Sequence, residues 1–102
     1  MPRMSSDRRT VAFDSITVSN TAVGLTQSNV RGSSSQPMAE EVLLTVETDQ
    51  IRWRDDGTDP TSSVGHLVNP GGLITLSSRD RIEKFRAIRV TTNATLRVSY
   101  IA

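Results

Sequence analysis

The chain has 102 residues, no cysteine, and twelve basic side chains against eleven acidic ones. That length fits one domain. The missing cysteines exclude a disulfide scaffold, a thiolate zinc site and a cysteine nucleophile, and the balanced charge gives no global field toward nucleic acid or an anionic membrane.

Residues 1–9 place Arg3, Arg8 and Arg9 among serines with too little apolar surface to fold alone. They predict a flexible N-terminal arm ahead of a single β domain over 10–102. The arm lacks the apolar core of a signal peptide, and no run in the chain approaches the roughly 20 apolar residues that cross a bilayer. The expectation is a soluble, non-exported chain.

From residue 10 onward, a period of two dominates. "TVAFDSITVS" puts Ala12, Asp14, Ile16 and Val18 on one face and Val11, Phe13, Ser15 and Thr17 on the other, a strand pattern in β-branched composition. "TAVGLT" reads as a second short strand. "QSNVRGSSSQPMAEE" is rich in Ser, Gly, Asn and Pro and reads as a long surface loop, exposed around Asn29 to Gln36. "EVLLTVET" sets Val42, Leu44 and Val46 against Leu43, Thr45 and Glu47, and "QIRWRDD" sets Ile51 and Trp53 against Arg52 and Arg54. With only "ETDQ" between them, these two strands are expected to pair as a hairpin.

After the Asp56-Gly57 turn, "TDPTSSVGHLVNPGG" reads as extended loop with a short strand near Val64 to Val68, and "LITLSS" as a strand. "IEKFRAIRVTT" fits two patterns. Ile82, Phe85 and Ile88 suit a helix, and a helical turn around Arg79 to Lys84 stays open, while the residues toward Val90 alternate as a strand. "ATLRVSYIA" alternates Leu96, Val98 and Tyr100, so these last two segments are expected to form a closing hairpin. The sum is about seven short antiparallel strands, an all-β fold of small β-sandwich or jelly-roll type.

Chemistry-bearing residues concentrate in "IRWRDDGTDPTSSVGH", which holds the single tryptophan and the single histidine. Asp55, Asp56 and Asp59 loosely resemble a calcium loop but lack the EF-hand order, and Asp-Gly accounts for the turn. His66 beside Ser62 or Ser63 is a pairing expected by chance in serine-rich loops, and one histidine without cysteines makes no zinc site. The glycines of "NPGGLITL" precede a strand, not a helix, and so make a turn and not a phosphate cradle. With four aromatics in the whole chain, a nucleic-acid face interleaving arginine with aromatic rings is not supported. No catalytic, cofactor or metal set emerges. Trp53 reads as a core or interface anchor, or alternatively as a sugar-stacking platform.

The run "LLTVETDQIRWRDDGTDPTSSVGHLVNPGGLITL" with "KFRAIRVTTNATLRVSYIA" resembles small all-β virion proteins of tailed bacteriophages over residues 41–102. Their pattern is an apolar strand leading into an I-R-W/Y-R-x-D-G turn, a T-x-P-T-x-x-V-G-H-like segment, an F-R-A-I-R strand and a final T-L-R-V-S-Y strand. The resemblance implies a non-enzymatic virion part similar to a capsid cement or decoration protein. Its implied partners are the major capsid protein or other virion proteins, and its implied state is a homo-oligomer, commonly a trimer. A tail, neck or fibre component that binds carbohydrate or a receptor through Trp53 or Tyr100 is the competing expectation.

Apolar residues on both faces of several strands, Leu43 behind Val42 and Leu44 and Phe13 behind Ile16, exceed what one small core needs and fit self-association. The candidate partner-binding residues are Arg3, Arg8, Arg9, Arg52, Trp53 and Arg54.

Overall fold

Seven strands and two short helices follow one another in the computed structural model, which describes residues 8–102. They are β1 (Thr10–Val18), α1 (Gln27–Arg31), β2 (Glu41–Glu47), β3 (Ile51–Arg54), β4 (His66–Val68), β5 (Leu73–Leu76), α2 (Arg79–Lys84), β6 (Arg86–Arg89) and β7 (Ala94–Ile101). The strands form two antiparallel sheets, one of four strands in the order β1-β7-β2-β5 and one of three in the order β4-β3-β6. The fold is all-β and sandwich-like. Among the described residues no helix is long and apolar enough to cross a membrane.

Alternation along the strands builds the core. Val42, Leu44 and Val46 of β2 are fully buried, as are Leu96, Val98 and Tyr100 of β7, while their neighbours in sequence are not. The second sheet meets them with Ile51 and Ala87, both fully buried, and Trp53 packs against the same cluster. Each such aliphatic side chain contributes about 1.5–3 kcal/mol relative to exposure.

Both expected hairpins are absent, for one reason. β2 is flanked by β7 and β5, so it has no free edge for β3, and the chain instead crosses to the second sheet. Thr48 makes that crossing at φ 83, a left-handed conformation rare for a β-branched residue. Asp49 anchors the bend by accepting from the Gln50 N–H at 2.7 Å and from the Thr92 hydroxyl. Thr92 belongs to the other crossing, from β6 in the three-stranded sheet to β7 in the four-stranded one. The two linkers expected to close hairpins therefore both connect the sheets, and a hydrogen bond ties them together.

The segment "TAVGLT" contributes one bridge rather than a strand, with Val23 and Ala87 exchanging hydrogen bonds of 2.9 Å. The supposed surface loop that follows is also corrected. Ser33, Ser34 and Ser35 are exposed, but Gln27–Arg31 is helical, and Val30 and Ala39 are fully buried. Arg79 holds this segment down: its Nη1 donates to the carbonyls of Val30 at 3.0 Å and Ala39 at 2.8 Å. Both patterns in "IEKFRAIRV" are realised in succession. Ser78 caps α2 by accepting from the Arg81 N–H, Ile82 and Phe85 are buried, and the strand begins at Arg86.

Candidate interaction surfaces

The outer face of the four-stranded sheet follows from register. Phe13, Ser99, Leu43 and Thr75 form one row across it, and Ser15, Arg97, Thr45 and Leu73 the next. Phe13 and Leu73 are each 62% exposed. The charges on this face are already matched: Arg97 donates to Glu47 at 3.0 Å and to Ser15 at 2.7 Å, and Glu41 accepts from Arg8 at 3.3 Å. The result is an exposed surface of apolar and hydroxyl groups with its charges paired internally. Hydroxyls on an exposed strand face keep such a surface wettable while adding little charge that a partner must desolvate.

The inner side of the same sheet holds one polar knot. Asp14 accepts from the Tyr100 hydroxyl at 3.1 Å, from the Thr26 hydroxyl at 2.5 Å and from the Asn29 amide at 3.2 Å. Burial pushes the Tyr100 phenol above its ordinary value, so it stays a donor to that carboxylate. The knot ties β1 and β7 to α1. Every buried side-chain nitrogen and oxygen among the described residues has a partner.

On the three-stranded sheet, Arg52 and Arg54 share the outer face, and Trp53 turns the other way. The Trp53 ring lies 5.0 Å from that of His66 and 5.6 Å from that of Phe85. The three residues singled out together in sequence are thus divided between two faces of one strand. Arg52 fixes the loop that returns over the outer face, donating to the carbonyls of Ser62 at 3.1 Å and Gly65 at 3.0 Å. Gly65 has φ 138, and a Cβ there would stand 3.1 Å from the Pro60 Cβ and 3.2 Å from that of Arg52. Only glycine lets the loop lie this close to the strand.

The aspartates after Arg54 are engaged singly. Asp55 accepts from Arg81 at 2.6 Å; Asp56 pairs with Arg54 and accepts from the Thr58 N–H at 3.2 Å. The hydrogen bond from Arg54 holds the Asp56 carboxyl below its ordinary value. Among the described residues, no group of three or more metal-ligating side chains converges. Arg3 lies outside the described residues. Arg8 reaches Glu41, and Arg9 exchanges backbone hydrogen bonds with Ala102 at 3.1 and 3.0 Å, so the ladder extends into what the sequence assigns to the arm.

Sequence reasoning missed Arg79 and the Asp14 knot, because a guanidinium that caps carbonyls and a carboxylate inside a sheet have no signature of spacing. No family model, no curated protein and no solved structure matches this chain.

Proposed function

We propose that the chain is a non-enzymatic structural protein of a bacteriophage virion, a cement or decoration protein that docks on the major capsid lattice and stabilises the head. The observation that carries this reading is the open face of the four-stranded sheet, with Phe13 and Leu73 mostly exposed and the charged side chains of the face paired to one another. An exposed apolar surface of this kind binds by buried area, and repetition around a symmetric shell multiplies weak contacts. The resemblance of residues 41–102 to small virion proteins supports the same assignment. Against a sugar-binding module stand the full burial of Tyr100 and the packing of Trp53 beside His66 and Phe85.

The test is cosedimentation of the full chain with expanded, undecorated capsids of the parent phage. Burying Phe13 and Leu73 contributes about 2–4 kcal/mol together at ordinary apolar transfer values. The F13S/L73S double variant is therefore expected to stay in the supernatant at concentrations where the original chain saturates the shell and raises its disassembly temperature. Undiminished binding of the folded double variant, or no binding by the original chain, rejects the proposal.

A further inference from the structure

Charge is divided between the two sheets. The strands of the three-stranded sheet carry Arg52, Arg54, Arg86 and Arg89 and no carboxylate, whereas those of the four-stranded sheet carry Asp14, Glu41 and Glu47 against Arg97 alone. Among the described residues, Arg54 is the one member of the basic set with an ion pair. Arg52 donates to backbone carbonyls, Arg86 to the carbonyls of Glu83 and Phe85 at 3.1 and 2.7 Å, and Arg89 to the Asn93 side chain at 2.6 Å. These contacts orient three guanidinium groups and neutralise none of them. Each keeps N–H donors for an incoming anion.

A groove of about 380 Å³ lies beside this sheet, lined by residues 60–62 and 88–91 with Asn20. Ile88, Val90 and Pro60 give it apolar surface; Thr61, Ser62 and Thr91 are exposed hydroxyls. Arg89 lines it, and Arg52 is bonded to the carbonyl of Ser62 in its wall. We propose that the groove binds an extended acidic polypeptide segment of a partner protein, with apolar side chains on Ile88 and Val90 and a carboxylate facing Arg89. Mixed lining favours peptide over nucleic acid: base recognition on a single strand uses exposed aromatic platforms, and no aromatic residue lines the groove. Asp59, exposed next to Pro60, disfavours a further carboxylate at that end. This inference is independent of the docking role assigned to the four-stranded sheet.

Fluorescence anisotropy with a labelled octapeptide of alternating glutamate and leucine tests it on the full chain. The companion probes are a glutamate–serine octapeptide, a lysine–leucine octapeptide and an oligothymidylate. Binding is expected below about 1 mM, weakening as salt is added. R89Q should weaken it about tenfold, the scale of one charge-assisted hydrogen bond, and F13S should leave it unchanged. Amide shifts in the original chain should map to Asn20, residues 60–62 and residues 88–91, which keeps the test independent of how well R89Q folds. Absent binding, equal affinity for the glutamate–serine or lysine–leucine peptide, tighter binding of the oligothymidylate, or shifts confined elsewhere would each overturn the proposal.

Discussion

Val30 distinguishes a packed segment from a surface loop, and V30A measures the difference. The side chain is fully buried within a stretch rich in serine, glycine, asparagine and proline. Truncation to alanine removes about two methylene equivalents, near 1.6 kcal/mol of transfer energy. The cavity left behind raises this to about 2–3 kcal/mol, and the better helix propensity of alanine returns at most ~0.7 kcal/mol. A net loss of about 1.5–2.5 kcal/mol follows, equivalent to a fall in melting temperature of roughly 6–20 °C for a domain of this size. The matched control is V64A, where the side chain is 52% exposed and the cost should stay below about 0.5 kcal/mol. Urea denaturation reads both as shifts of midpoint at constant slope. If V30A and V64A unfold at the same midpoint, the 26–39 segment is not part of the core and the account of Arg79 as its latch falls with it.

R79A should destabilise by about 1.5–3 kcal/mol, because the two carbonyls it holds lose a charged donor, and R79K should recover part of this, since both carbonyl bonds leave one nitrogen that an ammonium can replace while the second nitrogen, bonded to Glu83, is lost; thermal melts of both variants decide. Y100F removes a donor to Asp14 and an acceptor for the Thr26 N–H, a loss of about 1–2 kcal/mol in the same assay. Asp49 and Asp56 both have depressed carboxyl values, from the Thr92 and Arg54 hydrogen bonds respectively, so they ionise more readily folded than unfolded. Their contribution is present above the unfolded value near 3.9 and is lost as pH falls through the lower folded values, and D56N should flatten the acid limb of a stability–pH profile. A chelator should leave the melting temperature unchanged, because Asp55 and Asp56 are held by Arg81 and Arg54; a marked fall would reassign them to a metal.

The legible part of this fold is its alternation. Val42, Leu44 and Val46 could be assigned to the core from spacing alone, as could the split of Ile51 and Trp53 from Arg52 and Arg54, because a strand offers only two faces. The surplus of apolar residues at Phe13 and Leu43 was legible for the same reason. Pairing was not. Strands adjacent in sequence usually neighbour in space, but the "ETDQ" linker and the turn before Asn93 both change sheets, and the Thr48 conformation and the Asp49 to Thr92 bond that enable this involve residues far apart in the chain. Val30 was invisible because an apolar residue isolated among polar neighbours has no period. Its burial depends on Arg79, 49 positions later.

How such a domain associates turns on what its edges allow. A nine-residue edge strand such as β1 is an open template for another chain unless something blocks it. Here the register shifts between Thr10 and Ala12, and the inward carboxylate of Asp14 is fastened by Thr26 and Asn29 from the chain that returns past it toward α1. Beyond Val18 the Ser19 carbonyl accepts from the Arg89 N–H, and Val23 pairs with Ala87, so β6 is occupied on that side as well. The remaining edges, β4 and β5, are only three and four residues long. Edges are thus shifted in register, fastened or short, while the outer face of the four-stranded sheet stays open and the loop held by Arg52 lies over that of the three-stranded sheet. This favours contact through that open face, where Phe13 and Leu73 lie exposed and the charges are paired, over contact through a strand edge.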